Sequence, residues 1–414
     1  MDVLKKDVPA YKPKTAWLAL LGGLGIYFVN AAAQNKIPPI LLDLTEMMGL
    51  SLADAGWTMS VMSLAGLILA LPAGGIIMKL GVRWTTVIAA LFQLAGSLLC
   101  TVASDFIMLL ISRALEGIAL GLCNVVSFAV VTSFFPPEKR GIPNSLVTAS
   151  FTLATFMMMN VAVPLQTGFG FAGLWWFVDI LSVLAVAAAF FLIPSKDKEI
   201  DFGDNDKEAA KGEKVDFKKL LSTPAIWIVP IVFVVFNIGY YGISTYMPTY
   251  LVEGVGADQA TANFATSLNS LVGLPSALIV GFLLNKVKIK NRKYIAALTM
   301  FGLAVCYFMS FGMPTVLSAA ILLVFMGFIC TFVPVSLYTI GPDIIPSAAY
   351  AAIILAIVTF GQNLGMTLGP LVVGYIVDAF GGNFTACSIP LALLAAVGGF
   401  IMLFVKVKGK TLQK

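Results

Sequence analysis

SKDKEIDFGDNDKEAAKGEKVDFKK, residues 195–219, is the longest polar run of the chain, and its neighbours on both sides are apolar. Six long apolar runs precede it and six follow. A helix crosses a bilayer with roughly 20 apolar residues. The first six predicted spans are Trp17–Ile37, Ala55–Met78, Thr85–Val102, Phe106–Val131, Ser145–Leu165 and Leu174–Ile193. The second six are Ala225–Met247, Ala260–Leu284, Tyr294–Phe311, Val316–Tyr338, Ala348–Val377 and Phe384–Val405. Lipid cannot satisfy backbone polar groups and no alternating barrel pattern is present, so the spans are expected to be helices. The predicted fold is an all-α integral membrane protein. It has a six-helix half (1–194), a cytoplasmic linker (195–219) with room for a short surface helix, and a second six-helix half (220–414).

Composition agrees. Of 414 residues, 59% are apolar and 11% charged, against about half and a quarter in soluble domains. Positive charge then sets the orientation. Lysine and arginine number 26. They fall at the N-terminal segment (Lys5, Lys6, Lys12, Lys14), near 80 (Lys79, Arg83) and near 140 (Lys139, Arg140). Further clusters lie in the 195–219 run, between Lys286 and Lys293, and in the tail from Lys406 to Lys414. All of these are alternate joints, so they and both termini are expected in the cytoplasm. The net charge of +5 sits beside membrane spans and points to lipid rather than nucleic acid. The polar start followed by a bilayer-length run reads as a retained first span, not a signal peptide. The exceptions, Lys36 and Arg113, lie inside apolar runs, where charge marks function.

The five cysteines sit in five different runs and histidine is absent. No disulfide, metal site or cofactor is expected, and the usual proton switch near neutral pH is missing. No phosphate loop or nucleophile motif points to an enzyme. A sensor with a large cytoplasmic domain fits poorly with a longest loop of about 25 residues.

The halves look like repeats. PPILLDLTEMMGLSLADAG precedes a span carrying Pro72 that ends in GIIMKLGVR. MPTYLVEGVGADQATAN precedes a span carrying Pro275 that ends in GFLLNKVKIKNRK. Such repeats place a transport site between the halves near the midplane.

At these residues the chain resembles the major facilitator superfamily over essentially its whole length. The family's loop motif after span 2 is matched by Gly74, Lys79, Gly81 and Arg83, with Met78 in place of the acidic residue and Asn285 in the repeated copy. The family's span 4 motif is matched by Arg113, Glu116 and Gly117. The loop PPEKRG and the run GMTLGPLVVGYIVDAFGG are also similar. The resemblance implies twelve spans, alternating access, and a cavity lined by spans 1 and 7. Span 5 lacks the glycine-rich antiporter signature, and spans 2 and 8 lack the arginines of the nitrate and oxalate exchangers.

Polar residues inside the spans are the candidate solute ligands. Arg113, Glu116 and Asn124 share a face of span 4, at −60° and +20° from Arg113. Tyr27, Asn30 and Gln34 share a face of span 1. Asn237, Tyr240, Tyr241 and Ser244 share one on span 7. Gln362 and Asn363 on span 11 complete the set. Each is alternatively a packing group, the Arg113–Glu116 pair included. Lys36 lies about 200° from Gln34 and near a span end, so it is expected to snorkel to water, with attraction of the solute as the alternative. Asp179 reads as a helix-start charge and Asp54 as a cap. Glycines four apart, Gly117/Gly121 and Gly361/Gly365/Gly369, read as close-packing faces. Pro38, Pro72, Pro230, Pro248, Pro275 and Pro334 are expected bends.

The function expected is secondary active transport of a small polar solute across the plasma membrane, taken as a bacterial inner membrane. The solute expected is an organic anion such as a monocarboxylate. An anion competing with Glu116 for Arg113 would free the carboxylate to accept a proton, giving symport. A neutral or zwitterionic solute and efflux of amphipathic compounds are the alternatives. The partners expected are the solute and the bilayer, with the protein a monomer.

Overall fold

The computed structural model describes residues 12–136, 139–195, 218, 220, 222–345 and 348–405. Among them, twelve helical segments are long and apolar enough to cross a membrane. The linker and its expected surface helix, and most of the basic residues at the termini, lie outside the described residues.

The first half begins with α1 (Pro13–Asn35), opened by proline at a position where its missing N–H costs nothing. A 3-10 turn, Pro38–Ile40, and the short α2 (Leu41–Met48) follow. Span 1 therefore stops earlier than predicted, because Pro38 and Pro39 cannot extend its hydrogen-bond ladder. Spans 2 and 3 form one element, α3 (Leu52–Thr101). Only Gly81 interrupts it, with φ 79 and ψ 168. That backbone conformation is open to glycine and closed to most other residues, so the predicted loop shrinks to a kink. Then come α4 (Phe106–Phe134), α5 (Gly141–Phe169) and α6 (Phe171–Leu192).

The second half contains α7 (Pro224–Glu253), α8 (Gln259–Lys286), α9 (Arg292–Ser310), α10 (Val316–Cys330), α11 (Phe332–Ile344), α12 (Ala348–Ala379) and α13 (Ser388–Leu403). Span 10, predicted to end at Tyr338, breaks at Thr331 and continues as α11 to Ile344. Pro334 is the cause: it has no N–H for the Cys330 carbonyl and its ring crowds that group.

Two expected helix-start charges differ. Asp54 is not the cap of α3. Ser51 is, and Asp54 closes a capping box: its N–H donates to Ser51 Oγ at 3.1 Å, and its Oδ2 accepts from the Ser51 N–H at 3.3 Å. Asp179 lies two turns inside α6, buried, where Thr101 Oγ1 donates to its Oδ2 at 2.7 Å. The predicted start was too late, because the helix begins at Phe171.

The small-residue faces do bring helices together. A Cβ on Gly117 would lie 2.3 Å from the Met62 carbonyl oxygen of α3, and one on Gly121 2.5 Å from that of Gly66. On α12, Gly361 and Gly365 meet the Pro230 and Val234 carbonyls of α7 at 2.6 and 2.5 Å. Both seams lie within a half. They bring the backbones of neighbouring helices in the same half into close contact.

The halves meet along α3 with α12 and α5 with α8. The hydrogen bonds between them gather at one face, that of the joints after α1, α7 and α12. The Asp378 carboxylate of α12 accepts from the backbone N–H groups of Leu52 and Ala53, at 3.2 and 2.8 Å, on the first turn of α3. Tyr246 Oη donates to the Leu52 carbonyl at 2.6 Å, and Trp57 Nε1 to Tyr375 Oη at 3.2 Å. Gln259 Nε2 donates to Asp43 Oδ2 at 2.9 Å and Asn263 Nδ2 to the Pro39 carbonyl at 3.1 Å.

Candidate functional site

Arg113 and Glu116 stand one turn apart on α4, both fully buried, and their guanidinium Nη1 and carboxylate Oε2 form an ion pair. Lys36 joins them. Its Nζ lies 2.7 Å from Glu116 Oε1 and 4.7 Å from the Trp175 ring centroid, and the residue is 0% exposed. The expectation that Lys36 snorkels to water is overturned. At the end of α1 its long side chain turns inward, because one carboxylate facing Arg113 alone leaves room for a second cation. A buried charge without a partner is far costlier than a buried pair.

Amides complete this cluster. Gln93 Nε2 donates to Glu116 Oε1 at 3.3 Å, and Asn30 Nδ2 donates to Gln93 Oε1 at 2.7 Å and to the Glu116 carbonyl at 3.2 Å. Gly96 makes the room: a Cβ there would lie 2.8 Å from Glu116 Cγ. Arg113 Nε donates to the Thr58 carbonyl and Nη1 to that of Ala33, each at 2.8 Å. Two cations and one carboxylate leave the cluster with one net positive charge.

A cavity of about 210 Å³ lies beside it, between the halves. Its wall takes Asn35 from the end of α1, Pro38 from the turn after it, Met59 from the second turn of α3, Thr148 to Met159 from α5, and Tyr240, Tyr241, Ser244 and Thr245 from α7. Residues between Thr266 and Ala277 of α8, with Cys330 and Thr331 at the α10 break, close it. No charged side chain lines it. Arg113 touches one wall residue, Met59, whose Sδ lies 4.0 Å from Nη2. Asn269 is 3% exposed, lines the cavity, and has no hydrogen-bond partner for either amide atom. A buried amide left so is costly unless something enters to meet it.

The sequence-predicted residues thus divide. Tyr240, Tyr241 and Ser244 are in the cavity wall. Arg113, Glu116 and Asn30 are in the charged cluster behind it. Tyr27 packs against Phe151, itself a wall residue, with ring centroids 6.1 Å apart. Gln34 is buried with both amide atoms unpartnered, outside the wall. Asn124, three turns beyond Arg113, makes no hydrogen bond to the pair. Asn237 Nδ2 donates to the Gln362 carbonyl at 3.2 Å, joining α7 to α12, and Asn363 Nδ2 donates to Thr359 of its own helix at 3.0 Å. Of the span 1 face, Asn30 meets the charged cluster, Tyr27 packs on the cavity wall and Gln34 joins neither. In the loop motif, Gly81 is the kink, Arg83 stacks its guanidinium 4.7 Å from the Phe190 centroid, and a Cβ on Gly74 would meet nothing. Lys79 adjoins them on the same turn. Lys36 stood out in the sequence as a charge inside an apolar run but was not placed with the pair, and Met59, Gln93, Trp175 and Asn269 were not among the sequence candidates for the site.

A sequence profile of the Major Facilitator Superfamily matches residues 23–357. The Bacillus subtilis transporter YybO is 22% identical, with 94% of this chain and 92% of that protein covered. A probable L-galactonate transporter of Escherichia coli K12 is 20% identical, with 91% and 86% covered. A crystal structure of a bacterial homologue of the human lysosomal transporter Spinster, inward-facing and unoccupied, superposes with a TM-score of 0.74 at 16% identity, covering 96% and 95%.

Proposed function

The chain belongs to the Major Facilitator Superfamily and is a membrane transporter, and from that premise we propose that its solute is a small organic anion, held in the cavity between the halves. One observation carries this reading. The cavity wall is uncharged, while the cluster one side chain behind it has a net charge of +1. In a low-dielectric interior such a charge is screened little and acts across several ångströms. It favours a solute with one negative charge and opposes a cation. Hydroxyls of Thr148, Thr152, Ser244 and Ser270 and the Asn269 amide supply hydrogen bonds for the rest of the solute. The relative named as a probable L-galactonate transporter, a carrier of an organic acid, agrees with this class.

The direction of closure follows. Read from the basic residues on alternate joints, the face of Asp378 and Leu52 would lie outside the plasma membrane, with both termini in the cytoplasm. The halves are then latched on the outer side, and alternating access proceeds by breaking that latch. Glu116 is the proposed coupling group. A solute carboxylate that shares Arg113 brings a second negative charge beside Glu116, and that charge favours a proton on Glu116. The uncharged wall is also what a neutral solute would meet, and this is the competing reading.

Proteoliposome uptake separates them. Lactate and gluconate, tested against their amides, are expected to accumulate with an inward proton gradient. Asn269→Leu is expected to raise KM while leaving thermal stability unchanged or higher, since it removes an unsatisfied buried amide. Uptake of the amides but not the acids overturns the anion reading.

A further inference from the structure

Three of the atoms around the Arg113 guanidinium are strong acceptors: the Thr58 and Ala33 carbonyl oxygens and Glu116 Oε2 serve Nε and Nη1. Nη2, with two N–H groups, has only the Met59 thioether, 4.0 Å away. Sulfur in a thioether is a weak acceptor. A fully buried cationic donor capped so poorly is out of keeping with the rest of the cluster, where every other charged atom has an oxygen or a nitrogen partner. Met59 is also a wall residue of the cavity. Its side chain thus separates the least satisfied edge of Arg113 from the space where the solute is held. Methionine has three rotatable bonds and adapts its shape at little cost.

We propose that Met59 is a movable cover over a carboxylate subsite. When its thioether swings aside, the two Nη2 hydrogens face the cavity and take one or both carboxylate oxygens of the solute. The exchange replaces a weak N–H···S contact with charge-assisted N–H···O bonds, which are about twice as strong as neutral ones. Arg113 need not leave Glu116, Thr58 or Ala33 to do this. The cover also sets specificity: a solute without an acceptor to offer Nη2 gains nothing from displacing Met59. This inference rests on the anion reading of the cavity, but the movement of the cover is separately measurable.

The test uses phenylglyoxal, which modifies arginine, on the full-length protein in detergent, with adducts quantified by peptide mass spectrometry. Arg292, whose side chain is 15% exposed, is the internal reference. Met59→Ala removes the cover and is expected to raise the ratio of Arg113 to Arg292 adduct about tenfold, as a minor open state becomes permanent. Met59→Ile keeps the volume but is stiff at χ1, so its ratio is expected below that of the wild type. Gluconate or lactate is expected to protect Arg113 and not Arg292. Equal ratios in wild type, Met59→Ala and Met59→Ile overturn the cover. Should Met59→Ala label every arginine faster, it has unfolded, and the Met59→Ile ratio decides: no drop overturns the proposal. A rise in Met59→Ala without protection by either acid overturns the carboxylate subsite. Failure of uptake with protection intact would instead count against transport, not against the subsite.

Discussion

Glu116 carries two cations, and this makes its removal different from theirs. Glu116→Gln leaves Lys36 and Arg113 buried without a counter-charge, which costs about 3–5 kcal/mol. Lys36→Met leaves a neutral Arg113–Glu116 pair and costs much less. The double variant has one uncompensated charge where Glu116→Gln has two. It is expected to be more stable than Glu116→Gln alone, and denaturant unfolding in detergent measures the cycle. Additive effects would show that Lys36 and Glu116 do not interact. Lys36→Met is also expected to weaken uptake of an anion, since it cancels the cluster's net charge. Arg113 and Glu116 were legible in the sequence, since one turn of helix brings any such pair together. Lys36 was not. Angular counting locates a Cβ, whereas the Lys36 ammonium sits at the end of a long stem that can turn to a partner 80 residues away in sequence. Gln93 and Asn269 were illegible for another reason. A single amide in an apolar run looks the same whether it seals a helix contact or faces a cavity.

At the scale of elements, length and apolarity located the spans, and most ends fell within a turn. The departures trace to particular residues. Gly81 turns a predicted loop into a kink, so α3 carries spans 2 and 3 as one continuous piece. Pro334 splits span 10 at Thr331, and Thr331 then lines the cavity. Both residues are visible in the sequence, but whether a glycine or proline bends, breaks or ends a helix depends on what packs around it. The joint between α12 and α3 was not legible, because one partner is main chain. Asp378 sits at the first turn of α3, where exposed N–H groups and the helix dipole favour an anion. It is exposed to solvent, so the contact is worth about 1 kcal/mol. Asp378→Ala is therefore expected to raise the population open on this face about fivefold. Spin labels on Met47 and Phe380, both exposed there, read it out as growth of a longer-distance component. An unchanged distribution would mean that Tyr246 and Gln259 hold the face without it.

For the whole molecule, the twelve membrane-crossing helices were the most legible feature, since length and apolarity alone locate them; most of the boundary expected at 195–219 lies outside the described residues. The sidedness rests on charge alone. Single cysteines at Ser104 and Asp204, in a cysteine-free background, are expected to react with an impermeant maleimide from opposite sides of the membrane. Reaction of both from outside would reverse the twelve-span scheme. The place of the cavity was legible only as a position between halves. Its wall is assembled from α1, α3, α5, α7, α8 and the α10 break, and no single stretch of sequence shows six elements converging.

The contact of Asp378 with the Leu52 and Ala53 amides has a consequence for how this protein can vary. Every residue type but proline offers the same N–H, so the half-buried position 52 can change its side chain without losing the bond, while at the buried position 53 packing and not the bond limits the choice. Only the carboxylate side can be lost by substitution. A survey of related sequences that looks for paired changes would find none here, however strongly the contact governs the closing of the halves. A proline at Leu52 or Ala53 would act on the molecule as loss of the aspartate does, while leaving every charge in place.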